Sequence, residues 1–223
     1  NNLGTVEYNL GEKETAAASF QKADELDPKN PVVQNNLGVI ALKNNELIKA
    51  EELFGAASGA GKEVNENLGI LKIKQGQYET AVKYLGEGSQ NVANRALAQL
   101  LAGDNNGALH TLNGAPVESG RIAYLKAIIA ARTAKTSMFY ESLGTAINKD
   151  IAYRALARTD LEFAKYFDEQ NFKLLVPEWA ITTINGKGGI IYPPFFILPA
   201  DYFMQSNDSA VGSNIQCKFY FFS

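Results

Sequence analysis

The tripeptide Asn-Leu-Gly occurs three times near the start of the chain, as Asn2-Leu3-Gly4, Asn36-Leu37-Gly38 and Asn67-Leu68-Gly69. Twelve residues past each glycine stands an alanine (Ala16, Ala50, Ala81), and four further on a bulky apolar residue (Phe20, Phe54, Leu85). Self-similarity at a period of about 30 residues marks a chain built from stacked supersecondary units. This feature constrains the fold more tightly than any local propensity, because every unit must bury its apolar side against the next.

The first unit reads NNLGTVEYNLGEKETAAASFQKADELDPKN. Two helical patterns flank a break at Asn9-Leu10-Gly11, and Asp27-Pro28 closes the second. Leu3, Gly4 and Tyr8 keep helical spacing on the first helix, and Ala16, Phe20 and Ala23 on the second. Small residues at Gly4 and Ala16 permit a close antiparallel approach, with Phe20 filling the space beside them. A second unit repeats Leu37, Gly38, Ala41, Ala50, Phe54 and Ala57, and a third Leu68, Gly69, Gly76, Tyr78, Ala81 and Leu85. Weaker fourth and fifth units keep Ala96, Gly103, Ala108 and Leu112, then Ala127, Ala130, Phe139, Leu143 and Ala146. Phe54 and Leu37 are both expected to be buried between the helices of their unit.

This pattern resembles the tetratricopeptide repeat: Leu-Gly on the first helix, Ala, Phe and Ala on the second, and a closing proline such as Pro28. The resemblance implies an all-α fold, a right-handed superhelix (an alpha-alpha solenoid) of about five helix pairs at residues 1–30, 31–61, 62–88, 89–119 and 120–150. The spacing drifts: the steps from Gly4 to Gly38, Gly69, Ala96 and Ala127 are unequal, and the one from Gly69 to Ala96 is the shortest. Gly86 and Gly88 suggest a shortened second helix in the third unit and a kink near residues 86–92. Residues 151–176 suit C-terminal capping helices. IAYRALART reads as one short helix, and DLEFAKYFDEQNFKLL as another opened by a Thr159-Asp160 cap.

From Pro177 the composition shifts: residues 177–223 hold ten of the 23 aromatic side chains and five charged ones. This irregular, partly β aromatic tail offers a hairpin around Asn185-Gly186-Lys187-Gly188 and a strand at 215–222. It suits filling the solenoid's groove, pairing with another chain, or a non-native extension. Asn1 lies inside a helical pattern, as in a fragment with an upstream part.

A net charge of −3 argues against nucleic acid, which wants a basic stripe. No apolar run reaches the roughly 18 residues of a membrane span. One cysteine (Cys217) and one histidine (His110) make neither an internal disulfide nor a Cys/His metal site, so no metal or cofactor is expected. Glu12–Glu14 and Glu51-Glu52 read as solvated helix faces, and SGAGK (Ser58–Lys62) as a helix-ending turn without the spacing of a phosphate loop. Nothing here suggests an enzyme.

Asn2, Asn36, Asn67 and Asn94 share one position of the repeat. In proteins of the resembling family this position faces the concave groove, where an asparagine can both donate to and accept from a peptide backbone. Seven residues further stand Asn9, Lys43, Lys74, Leu101 and Arg132, three of five basic, which favours an acidic partner. Asn35 and Tyr124 complete the expected peptide groove of Asn35, Asn36, Asn67, Asn94, Lys43, Lys74, Tyr124 and Arg132. The resemblance stops short of the dicarboxylate clamp of chaperone-binding members, whose positions here hold Asn1, Asn35, Thr5 and Val39.

ALAQLLAGD, YLKAIIAART and DLEFAKYF also resemble tetratricopeptide lipoproteins of bacterial cell envelopes. That implies a place in the bacterial cell envelope, as a periplasmic protein or outer-membrane lipoprotein, with the cytoplasm left open. The expected function is a non-catalytic scaffold for a protein or extended peptide, with self-association through the tail. The alternative is glycan capture at the bacterial surface, with Trp179, Tyr192, Phe195 and Tyr202 stacking on sugars.

Overall fold

The structure, a computed structural model, describes residues 1–59, 61–86 and 91–177. The expected tail hairpin, the strand at 215–222, the tail aromatics and Cys217 lie outside the described residues, as does most of the expected kink near 86–92. Ten helices come first: α1 (Asn2–Asn9), α2 (Lys13–Leu26), α3 (Pro31–Lys43), α4 (Leu47–Ala56), α5 (Lys62–Lys74), α6 (Tyr78–Leu85), α7 (Val92–Leu101), α8 (Asn105–Asn113), α9 (Gly120–Arg132) and α10 (Thr136–Lys149). Then come α11 (Ala152–Ala157), a 3-10 helix (Leu161–Tyr166) and α12 (Gln170–Leu175). The chain forms two compact units, one holding Asn1–Ala98 and one beginning at Gln99.

Each first-to-second-helix turn is built alike. Seven residues past the small position of each repeat the backbone turns left-handed: Gly11 (φ 84), Asn45 (φ 60), Gly76 (φ 73), Gly103 (φ 87) and Ala134 (φ 55). The next N–H reaches back five residues, from Glu12 to Glu7, Glu46 to Ala41, Gln77 to Lys72, Asp104 to Gln99 and Lys135 to Ala130, at 2.8–2.9 Å. Together these bonds and the left-handed residue satisfy the last carbonyls of the first helix and reverse the chain. Glycine and asparagine adopt this backbone readily; Ala134 is the costly member of the series.

In the first unit, α1 packs on α2, α3 on α4 and α5 on α6, with α3 also on α2 and α5 on α4. Glycine opposite a large residue locks each pair. A Cβ placed on Gly4 would come within 2.8 Å of Phe20, on Gly38 within 2.6 Å of Phe54, and on Gly69 within 2.5 Å of Leu85. Phe54 is fully buried among Val39, Leu42, Ala50, Ala57, Val64 and Leu71. Leu37, expected beside it, is only half-buried, because its neighbour Gly38 is the residue that meets the ring. The third pair is short, as expected: α6 stops at Gly86, whose φ of 49 no ordinary helix continues through.

In the second unit α9 packs on α10, and the cap closes on both. The segment expected to be one helix is two. Asp160 accepts from the Glu162 N–H at 3.0 Å and opens the 3-10 helix, and α12 starts only at Gln170. In a 3-10 helix residues three apart eclipse, which brings Phe163 and Tyr166 to one face. Both rings meet Phe139, at centroid distances of 5.0 and 3.9 Å, and Phe172 of α12 lies 6.4 Å from the same ring. A continuous α-helix would carry residues three apart about 60° out of line, so this aromatic cluster accounts for the break.

Candidate functional site

The asparagines of the repeat tie one helix pair to the next. Asn36 on α3 donates from Nδ2 to Asn1 Oδ1 at 2.8 Å, and Asn67 on α5 donates to Asn35 Oδ1 at 2.9 Å. Each donor thus reaches the residue just before the equivalent asparagine of the preceding repeat. Asn35, Asn36, Asn67 and Asn94 are all buried. Two paired amides satisfy groups that would be costly to bury alone, and the pairing fixes the register between repeats.

The basic residues follow a second rule. Lys74 Nζ donates to the Leu42 carbonyl at 3.3 Å and to Asn45 Oδ1 at 3.4 Å, so it sits on the C-terminal end of α3. Arg132 does the same in the second unit, with Nη1 donating to the Leu100 carbonyl at 2.9 Å. Lys165 of the cap donates to the Ala131 carbonyl at the end of α9. A cation at a helix C-terminus offsets the partial negative charge of its unpaired carbonyls. Burial holds the Lys74 ammonium below the usual lysine range. Arg132 also forks onto Glu162, with Nε to Oε2 at 2.9 Å and Nη2 onto Oε1, and that bond raises its pKa. Lys43 is half-buried at the end of α3.

Tyr124 of α9 stands where Asn35 stands on α3, and its hydroxyl donates to Asp160 Oδ2 at 2.7 Å. Its ring is fully buried, 5.1 Å from Tyr153 and 5.4 Å from Phe163. Burial first, and the Asp160 carboxylate second, push its phenol far above the ordinary value. The expected groove residues therefore divide between the units: Asn35, Asn36, Lys43, Asn67, Lys74 and Asn94 in the first, Tyr124 and Arg132 in the second. Sequence reasoning named Asp160 as a helix cap but missed its bond to Tyr124, and it missed Glu162 and Lys165. Lys165 follows Arg132 by one further repeat period, so extending the period into the cap would have found it.

Glu51, expected on a solvated face, accepts from the buried Lys72 of the next repeat at 2.6 Å and from Gln75 at 2.7 Å. His110 is exposed on α8. Gly59 and Gly61 (φ 86 and 151) lie between the end of α4 and the start of α5. Among the described residues no group of His, Cys, Asp or Glu could hold a metal ion, and no helix is long and apolar enough to cross a membrane.

Helix pairs joined by one recurrent turn and locked by small-against-large contacts define a helical repeat protein. Residues 1–30 match the family model described as tetratricopeptide repeat. Among solved structures, that of PilF from Pseudomonas aeruginosa is similar at 19% identity and a TM-score of 0.57, covering 74% of this chain and 93% of that one. A tetratricopeptide repeat protein from Parabacteroides merdae is similar at 14% identity, covering 78% of this chain and 80% of that one, with a TM-score of 0.44. No curated protein matches. Residues 1–30 thus carry a tetratricopeptide repeat, and the described helix pairs share the fold of a solved protein of that architecture.

Proposed function

We propose that this protein is a non-catalytic scaffold whose first unit holds an extended, acidic peptide or protein segment along the first helices of its repeats. The fold is that of a scaffold for protein–protein contact. One observation supports the finer reading above the others: half-buried lysines recur at one register in consecutive repeats, Lys43 on α3 and Lys74 on α5. Two cations spaced by one repeat suit carboxylates spaced along an extended chain. The buried asparagines set that spacing by pairing repeat to repeat, and Arg132 and Tyr124 perform the same service in the second unit.

Fluorescence anisotropy with acidic, neutral and basic peptides tests this. Acidic peptides should bind best and weaken as salt rises. Lys43→Glu with Lys74→Glu should weaken them at least tenfold. Because Lys74 also sits on the end of α3, the pair should cost roughly 0.5–2 kcal/mol of stability, the sum for two helix-terminal charges. Equal binding of all three peptide classes would end this reading.

Two further proposals rest on the sequence alone. A place in the bacterial cell envelope follows from the lipoprotein-like phrases, and fractionation of cells expressing the natural gene checks it. Self-association through residues 178–223 follows from their aromatic composition. Light scattering should then show a smaller particle when the chain stops at Pro177.

A further inference from the structure

Arginine is confined to one stretch of this chain. Every basic side chain before Arg95 is a lysine, and no arginine follows Arg158. Arg154 and Arg158 stand four residues apart, in the last turn of α11 and at its C-terminal cap, so they share one side of the helix. Both are half-buried. Arg158 Nη2 donates to the Pro177 carbonyl at 2.6 Å, which anchors that guanidinium beside the chain after α12. Burial first, and the Arg154 charge second, hold the Arg158 guanidinium below the usual arginine range. Arg154 Nε is shielded from solvent and has no hydrogen-bond partner.

The carboxylates of the cap answer other donors. Asp150 accepts from the Ala152 N–H at 2.9 Å, Asp160 from the Tyr124 hydroxyl, Glu162 from Arg132 and Glu169 from the Tyr140 hydroxyl. Asp168 lies 3.7 Å from Lys173 Nζ. Arg154 belongs to none of these pairs. Like charges four apart on a helix repel, and a shielded donor without an acceptor adds to that cost. A bound dianion removes both penalties together.

We propose that Arg154 and Arg158 form a binding site for a phosphate group, carried by the free ion or by a phosphate monoester. A phosphate brings nearly two negative charges and several strong acceptor oxygens, and the planar guanidinium fork matches its geometry. A carboxylate would neutralise only one of the two cations. The site uses none of the residues proposed to hold a peptide, so it adds a second class of ligand.

Titration calorimetry of the full chain, at constant ionic strength in phosphate-free buffer, tests this with inorganic phosphate, phenyl phosphate and acetate. Both phosphates should bind saturably at one site per chain, and acetate at least tenfold more weakly. Tighter phenyl phosphate assigns the site to a monoester and tighter inorganic phosphate to the free ion; either upholds the proposal. Arg154→Lys keeps the charge and loses the fork, so it should weaken phosphate at least tenfold. Lys13→Gln, in the first unit, should leave binding unchanged. Arg154→Met should melt no lower than the natural chain without phosphate and gain nothing when phosphate is added. Absence of saturable phosphate binding would overturn the proposal, as would acetate binding as tightly as phosphate. Undiminished binding by Arg154→Lys, or a loss of binding in Lys13→Gln equal to that in Arg154→Lys, would do the same. A sharp fall in the melting temperature of ligand-free Arg154→Met would assign Arg154 to packing and also overturn it.

Discussion

The two units use one turn and two ways of filling space. In the first, glycine meets a large ring or branched chain at one constant spacing: Gly4 with Phe20, Gly38 with Phe54, Gly69 with Leu85. In the second, the same two positions hold Ala127 and Leu143, both buried. Relative to the two Gly–Phe pairs, one side gains a methyl where the other loses a ring, so volume is traded at fixed backbone geometry. The second unit then breaks the pattern at one further position. Alanine stands twelve residues past the small residue in four repeats, and in the fifth Phe139 stands there, fully buried. An alanine at that position lets another pair stack. The phenylalanine gathers Tyr166, Phe163 and Phe172 and ends the stack.

Removing that ring should give the largest effect. Phe139→Ala should cost about 3–5 kcal/mol in chemical denaturation and release the cap, seen as loss of near-ultraviolet circular dichroism. Phe54→Ala should cost a similar ~3–5 kcal/mol while leaving the cap signal intact. A loss under about 1 kcal/mol for Phe139→Ala would mean the cap is held by something else.

The volume exchange can be tested inside the first unit. Gly38→Ala forces a methyl against Phe54 and should cost roughly 1–3 kcal/mol. Phe54→Leu in the same chain should return part of that loss, since the fifth repeat carries the Ala–Leu combination. A double-mutant cycle with no coupling would show that the units differ for some other reason.

The units should also part at high pH. Tyr124 keeps its proton in the folded second unit far above the 10.0 of a free phenol. The unfolded chain loses that proton first, so stability from this group is full below about pH 10 and falls as pH rises beyond it. Tyr124→Phe should cost about 1.5–3 kcal/mol at neutral pH, the usual loss for a hydrogen bond to a charged group. It should also flatten the alkaline decline of the second unit, followed by circular dichroism, while leaving that of the first unchanged. An alkaline decline as steep in Tyr124→Phe as in the natural chain would remove Tyr124 from the account.

The smallest expected change is a gain. Ala134→Gly relieves a left-handed alanine in the second unit and should stabilise by about 1 kcal/mol. Asn45→Gly, at the equivalent turn of the first unit, should change stability by less, since asparagine tolerates that backbone. Thermal melts of the two variants compare them directly.

Much of the architecture was legible in the residues. The period, the small-against-large pairs, the break at Gly11, Gly76 and Gly103, and the shortened helix ending at Gly86 follow from spacing and glycine chemistry, which are local properties. Leu37 was misplaced because spacing names the buried stripe without saying which of two adjacent residues meets Phe54. The two-part cap was missed because its helical pattern is continuous, and the reason for its break is a ring on another helix, Phe139 of α10.

The sequence by itself determined that Asn36 and Asn67, or Lys74 and Arg132, are equivalent, because recurrence at a fixed period is visible without coordinates. Only the tertiary structure decided what each of them touches. Asn67 meets Asn35, Lys74 meets the end of α3, and Arg132 meets the Leu100 carbonyl, each in the repeat before its own. Periodicity reports that positions share an environment. The identity of that environment depends on how neighbouring helix pairs pack, and a buried amide or a cation near a helix end takes whichever unpaired group the packing brings within about 3 Å.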